Sequence, residues 1–342
     1  MSTPKQHSPA ISEFQHRLSH ADRNRSKSMQ GFEETAQRTT SRNIRQELNK
    51  LIESAPMEEK EGIKKEMDDF YMMFNRYLME KAKGHPIDWS KIQSPAPEQI
   101  VPYSSLSEPK EAIKTYLDKL AVIKLNGGLG TSMGCVGAKS AIEVRDGSTF
   151  LDLTVRQIEY LNDEYKSNVS LILMNSFNTD DETKKVIRRY TDKNVKIQTF
   201  NQSRYPRFYK DSMSICPSKF DDDKGCFFPP GHGDIYQSLY NSGILDQLIE
   251  QGKEYVFVSN IDNLGATVDE KILQHVFESK TEFLMELTDK TKADVKGGTL
   301  INYDGHVRLL EIAQVPSQHV DDFKSIKKFK IFNTNNLYFI FI

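Results

Sequence analysis

Four short runs, "LAVIKL" at 120–125, "VSLILM" at 169–174, "VKIQTF" at 195–200 and "YVFVS" at 255–259, are rich in β-branched and apolar residues and read as strands apolar on both faces. A strand of that composition has no face to turn to water, so both faces must be covered, as in a parallel sheet flanked by helices. Helical patterns lie between the runs: Leu151, Val155, Ile158 and Leu161; "DDETKKVIRRY", with Thr179 in a capping position; then Ile235, Leu239 and Leu245 through Ile249. Strand then helix, repeated, predicts an α/β fold with a doubly wound, Rossmann-like sheet. Farther on, "GTLINYDGHVRLLEI" sets two alternating runs around Asp304-Gly305, the signal of a hairpin. The closing "NTNNLYFIFI" reads as an uncharged apolar strand with no polar cap, a composition that invites edge pairing where it is exposed, and is expected to mark a truncated chain.

The first part of the chain is different. Residues 1–40 are polar and poor in large aliphatics, which predicts a disordered tail; its "RNRSKS" (Arg23 to Ser28) reads as a solvated basic stretch or a phosphorylation site. Residues 41–93 read as a helical segment, with Ile44, Leu48, Leu51 and Ile52 on one stripe and Phe70, Met73, Phe74, Tyr77 and Leu78 on another. Met67, Met72, Met73 and Met79 lie in the same stretch, and the expected use of this pair is packing against the rest of the protein. Pro86 and "SPAPE" at 94–98 close the helical segment, leaving 94–342 as the main domain.

Charge and cysteines narrow the classes of partner. The net charge of −2 leaves no electrostatic footprint for nucleic acid or an anionic membrane, so neither is expected as a partner. Cys135, Cys216 and Cys226 show no metal-ligand or disulfide-framework spacing. Neither a membrane span nor a secretory signal is legible, which suits a cytoplasmic protein.

The first both-face-apolar run feeds into "LNGGLGTSMGCVGAKS" at 125–140, which holds five glycines, three hydroxyl residues and a lysine and no carboxylate. Glycines let backbone N–H groups approach phosphate oxygens, and a lysine adds a mobile positive charge. The spacing then discriminates. Lys139-Ser140 is preceded by Ala138 and not by glycine, so a Walker A loop fails; Gly128, Gly130 and Gly134 give G-x-G-x-x-x-G, which weakens a dinucleotide fingerprint. A nucleotidyltransferase loop around a nucleoside triphosphate remains.

Together with that loop, "MNSFNTD", "FNQSRYPR", "PPGHGD", "SNIDNLGATVD", "KTKADVKGGTL" and "FNTNNL" closely resemble the eukaryotic UTP:glucose-1-phosphate uridylyltransferases, or UDP-glucose pyrophosphorylases, from about Ser41 to Leu337. Ser132-Met133 after Thr131 is similar to the glucose enzymes, where the N-acetylhexosamine relatives carry arginine-leucine. The resemblance implies a GT-A-like mixed sheet and attack by glucose 1-phosphate on the α-phosphorus of UTP, giving UDP-glucose and pyrophosphate with Mg2+ as cofactor. It places Leu125, Asn126, Gly127 and Gly128 at the uridine and ribose, Gln202 at the uracil edge and Lys139 on the phosphates as the catalytic lysine. Gly231 and His232 meet nucleotide and glucose. Asn260, Ile261 and Asp262 follow the strand at 255–259, with Asp262 the magnesium candidate and Asn260 at the sugar or its phosphate. Gly297, Gly298 and Asn335 border the glucose.

Two departures from the family pattern stand out. Ala138 occupies the position where the family usually has proline, which predicts a looser loop. The family continues beyond this sequence with a second phosphate-contacting lysine and a left-handed β-helix domain used for homo-oligomerisation. No lysine follows Lys330 here, so that lysine and the β-helix are expected to be absent. A fragment that binds UDP-glucose or UTP without turnover is therefore the alternative reading, and an NAD(P)-linked oxidoreductase a further one.

Overall fold

The structure, a computed structural model, describes residues 35–83, 87–110, 113–130, 134, 137–294 and 297–341. The basic stretch Arg23 to Ser28, Thr131 to Met133 and Cys135 lie outside them. Contacts divide the chain into two compact units, Met1–His85 with Pro206–Phe228, and Pro86–Tyr205 with Pro229–Ile342.

In the first unit, helix α1 runs through residues 35–53 and α2 spans Lys60–Lys83, so the chain is already helical over 35–40, where a tail was expected. Ile44, Leu48, Leu51 and Ile52 on α1 are buried, as are Ile63, Met67, Phe70, Phe74 and Leu78 on α2. Met72, Met73, Tyr77 and Met79 are exposed, so the apolar stripe of α2 is narrower than its composition suggests. Residues 206–228 belong to this unit for physical reasons. The Ile215 N–H donates to Glu47 Oε2 at 2.7 Å, the Phe220 N–H to Ser54 Oγ at 2.9 Å, and Phe208 meets Phe74 edge-on at 5.3 Å.

In the second unit, helix α3 (Ile113–Asp118) leads into strand β1 (Leu120–Leu125), and helix α4 (Phe150–Tyr165) into β2 (Ser170–Asn175). Helix α5 (Asp180–Ile187) precedes β3 (Ile197–Asn201), helices α6 (Ile235–Asn241) and α7 (Ile244–Glu250) precede β4 (Tyr255–Asn260), and α8 (Glu270–Ser279) precedes β5 (Phe283–Asp289). A hairpin of β6 (Thr299–Tyr303) and β7 (His306–Leu310) turns at Asp304-Gly305, a short helix α9 covers Val320–Lys324, and β8 spans Ile331–Ile340. The six-stranded sheet runs β5-β8-β4-β1-β2-β3. Strands β1 to β4 are parallel, whereas β8 is antiparallel to both β4 and β5.

The apolar closing segment is thus paired with β5 on one side and, at 337–340, with β4 on the other. A strand apolar on both faces is what an inner position requires. The side chains of β1 divide accordingly: Leu120 and Val122 join α3, α4 and α8 in one core layer, while Ala121 and Ile123 join α6 and α7 in the other. Capping fixes where the helices start. Thr149 Oγ1 accepts the Asp152 N–H at 3.1 Å while Asp152 Oδ2 accepts the Thr149 N–H at 2.8 Å, and Asp269 Oδ1 caps α8 through the Ile272 N–H at 3.0 Å.

One inward position of β1 is charged. Lys124 is 2% exposed, and its Nζ donates to Ser259 Oγ at 2.7 Å and to the Ala266 carbonyl at 2.8 Å. Burial pulls its pKa from the ordinary 10.5 down to about 8, against the opposing pull of Glu286. The unfolded chain therefore binds more protons than the folded one between about 8 and 10.5. Stability should rise with pH across that window, and the full cost of the buried charge is present below it. A Lys124→Met variant should show a flatter rise of the urea midpoint between pH 8 and 10 than the parent. Some slope should persist, because Lys253 is also pulled down to about 8 by burial. Equal slopes in parent and variant would refute the assignment to Lys124.

Candidate functional site

Winding reverses between β1 and β4: from β1 the chain proceeds outward through β2 and β3, then returns to place β4 on the other flank of β1. The crevice outside the carboxyl ends of two such strands is where open α/β sheets bind ligands. Two segments open there. The glycine loop leaves β1 at Leu125, residues 260–262 leave β4, and the Ile261 N–H donates to the Leu125 carbonyl at 3.2 Å, tying the two together.

The glycine loop doubles back on itself. The Gly130 N–H donates to the Gly137 carbonyl at 2.9 Å, Leu129 bridges Ala138, and the Lys139 N–H reaches the Gly128 carbonyl at 3.4 Å. This return brings the Lys139 ammonium to 2.7 Å from Asp262 Oδ2, with the two side chains 25% and 19% exposed. A cationic and an anionic group, both reachable from solvent, therefore face each other across the switch point. Each is a ready partner for a charged ligand that parts them.

Against Gly127 of the loop lies Gln202, 7% exposed. Its Oε1 accepts the Gly231 N–H at 2.9 Å, and a Cβ on Gly127 would stand only 1.9 Å from its Nε2. Glycine at 127 is thus what lets the amide lie against the loop. Asp234 Oδ2 accepts the Ser203 N–H at 2.8 Å, so the "PPGHGD" turn is clipped to 202–203 twice. Gly231, at φ 101°, takes a backbone conformation that favours glycine.

On the other flank, Asn335 donates from Nδ2 to Asn260 Oδ1 at 3.1 Å. Asn335 sits at φ 61° in a bulge of β8, where Met285 pairs with Leu337 and Leu287 with Asn333, so that Glu286 alone opposes 334–336. Asparagine tolerates this region better than most side chains, and bulges re-aim side chains next to functional sites. The bulge is stitched by Thr334 Oγ1 to the Glu286 carbonyl at 2.8 Å and the Asn335 N–H to Asn333 Oδ1 at 2.9 Å. The Asn333 N–H in turn donates to the Gly298 carbonyl at 3.0 Å. A Cβ on Gly297 would meet the Phe332 ring at 2.0 Å, and one on Gly298 would meet Glu311 Oε1 at 2.3 Å.

The structure therefore gathers Gly127, Gly128, Lys139, Gln202 and Gly231 on the β1 side and Asn260, Asp262 and Asn335 on the β4 side, with Gly298 joined to the latter through Asn333. Asn126 and Ile261 face inward. Ile261 is 1% exposed, and the buried Asn126 donates from Nδ2 to Asn175 Oδ1 at 2.8 Å and to Thr183 Oγ1 at 2.9 Å.

Two carboxylates escaped the sequence reading. Glu311 lies against Gly298, and burial raises its carboxyl above the ordinary range, opposed by the charge of His232. Its position at the end of the hairpin, inside "RLLEI", gave no pattern to read. Glu182 Oε2 accepts the Ala138 N–H at 2.6 Å. Alanine at 138 thus adds a donor that is used, and the loop is tethered at the point where it was expected to loosen.

Among the described residues no group of three or more His, Cys, Asp or Glu side chains could hold a metal ion by itself, and no helix is long and apolar enough to cross a membrane. A family model described as UTP–glucose-1-phosphate uridylyltransferase matches residues 67–341. The chain is 58% identical over 317 residues to the probable UTP–glucose-1-phosphate uridylyltransferase of Schizosaccharomyces pombe, covering 92% of this chain and 62% of that one. It is 56% identical over 309 residues to the Saccharomyces cerevisiae protein of that name, covering 90% and 62%. The chain thus spans about 62% of the length of these curated relatives. Among solved structures, the UDP-glucose pyrophosphorylase of Leishmania major superposes with a TM-score of 0.69 at 35% identity, covering 79% of this chain and 59% of that one. A mutant of that enzyme in complex with UDP-glucose superposes with a TM-score of 0.69 at 34% identity, covering 84% and 64%.

Proposed function

Because the chain belongs to the UTP–glucose-1-phosphate uridylyltransferase family, we propose that the crevice between β1 and β4 binds a uridine nucleotide and glucose 1-phosphate and transfers the uridylyl group between them. The observation that carries this reading is the Lys139 to Asp262 pair at 2.7 Å across the switch point, one group suited to phosphate oxygens and the other to a hard cation. In the reaction, a phosphate oxygen of glucose 1-phosphate forms a bond to the α-phosphorus of UTP. The bond from that phosphorus to the bridging oxygen breaks, and its electron pair leaves with pyrophosphate. The nucleophile is already an anion, so the protein's task is placement and charge neutralisation, with no general base required.

The residues divide that task. Gln202 offers an amide to the uracil edge, a donor and acceptor pair matched to an imide. The glycine loop lays backbone along the nucleotide, and the Lys139 ammonium moves from Asp262 to the phosphates. Asn260 and Asn335 hold hydroxyl or phosphate oxygens of the sugar phosphate, and Glu311 accepts from a sugar hydroxyl near Gly298. Asp262 fits magnesium that arrives with the phosphates, since this ion binds through one or two carboxylates plus substrate oxygens and needs no all-protein cage. When bound, the ion would neutralise charge developing on the phosphates.

A Gly127→Ala variant tests the placement. Its methyl group must displace the Gln202 amide, and turnover should fall roughly 10²-fold. Pyrophosphate release from UTP and glucose 1-phosphate with magnesium measures this, and calorimetry with UDP-glucose reads the binding. Parent protein that binds no UDP-glucose would refute the reading, and unchanged turnover in the variant would remove Gln202 from it.

A further inference from the structure

We propose that Glu182 is a positioning residue for Lys139, fixing the outgoing limb of the glycine loop through the Ala138 N–H so that the lysine next in sequence is held ready for nucleotide phosphates. The inference rests on the nucleotide-binding reading above and assigns a residue to it.

The first turn of α5 gives up a local bond to make this contact. Thr179 and Glu182 have the spacing of a capping box, in which the glutamate would fold back onto the Thr179 N–H. Here that N–H donates instead to the Ser176 carbonyl at 2.9 Å, the Thr179 hydroxyl accepts from the Ser176 N–H at 3.0 Å, and the Glu182 carboxylate reaches across to Ala138. Thr183 on the same turn accepts from Asn126 at 2.9 Å. One helical turn therefore grips both limbs of the loop, the incoming one at Asn126 and the outgoing one at Ala138.

The packing around the contact is as specific as the bond. Gly137 stands at φ 114°, and a Cβ there would lie 2.8 Å from Glu182 Oε2, so the carboxylate occupies space that only glycine vacates. Ala138 is 2% exposed, at φ −67°, and Lys139 follows directly. A carboxylate beside a loop meant for phosphates opposes the ligand's charge. Its presence is reasonable only where holding the backbone outweighs that repulsion, and departures from local rules of this kind concentrate at functional sites.

The test is UDP-glucose affinity by calorimetry, read together with hydrogen exchange at the Ala138 amide. Glu182→Ala should speed exchange of that amide and weaken binding roughly 10-fold, the scale of one hydrogen bond to a charged group. Glu182→Gln keeps an acceptor and should stay within about 3-fold of the parent. Ala138→Pro suits the observed φ but has no N–H. In that background, adding Glu182→Ala should change affinity by less than about 2-fold, which an effect of Glu182 on α5 alone would not produce. Wild-type affinity in Glu182→Ala, or a full loss repeated in the proline background, overturns the positioning role while leaving the function standing. Absence of UDP-glucose binding in the parent itself would overturn both, and is recognised by that control.

Discussion

Asp262→Ala is expected to lower uridylyl transfer roughly 10²- to 10³-fold, the scale seen when one group that stabilises transition-state charge is removed. The substitution takes away the proposed magnesium carboxylate and also leaves the Lys139 ammonium without its 2.7 Å partner. Both effects act on the same phosphates, in opposite directions. A freed lysine strengthens attraction for the nucleotide, while loss of the cation's anchor weakens neutralisation of the leaving pyrophosphate. UDP-glucose affinity should therefore fall far less than turnover, so the signature is a drop in kcat at nearly constant nucleotide affinity. Asp262 lies at the mouth of the sheet with its side chain partly exposed, and the fold should survive the change. Pyrophosphate release measured across a magnesium titration decides the matter: turnover within about 3-fold of the parent would exclude Asp262 as the metal ligand.

Phe257→Ala should destabilise the second unit by about 3–5 kcal/mol, the usual cost of emptying a fully buried phenylalanine site. Phe257 is fully buried in β4, stacked on Tyr338 at 4.6 Å and facing the Lys124 ammonium at 5.7 Å. Removing the ring opens a void between two strands and deprives a buried cation of an aromatic face, so neither neighbour can close the gap cheaply. Trp89, the single tryptophan, belongs to this unit, and its fluorescence during urea unfolding reports on it. A midpoint unchanged at constant slope would contradict the packing described here.

The parallel half of the sheet was legible because strands buried on both faces leave an uninterrupted apolar signature, as at 120–125 and 170–175. The antiparallel half was not. "NTNNLYFIFI" has the same signature whether it lies inside a sheet or on its edge, and only pairing with residues some 50 and 80 positions earlier settles which. Residues 206–228 were read with the main domain for the same reason: their attachment to Glu47, Ser54 and Phe74 is non-local and leaves no periodicity. At the site, the glycine-rich loop and the carboxylate following apolar strands pointed to Lys139 and Asp262, whereas Gly127 and Gln202 were legible only through the family resemblance. Glu182 drew no separate reading within "DDETKKVIRRY", because a helix-start pattern cannot tell which donor a carboxylate will serve. Glu311 was hidden among alternating hairpin residues.

The place of β8 in the sheet bears on how the protein is made. β5 pairs only with β8 among the described strands, and β8 also closes the flank of β4, yet it is the last of these strands in the sequence. During synthesis β1 to β4 can assemble first, leaving one side of β4 with unpaired N–H and C=O groups and β5 without a neighbour. That edge stays open until residues 331–340 have left the ribosome, and it is the natural point for chaperone capture or for mispairing between nascent chains. Asn260 and Asn335 meet only when that late strand docks. That flank of the proposed site therefore takes shape in the same event that pairs β8 with β4 and β5.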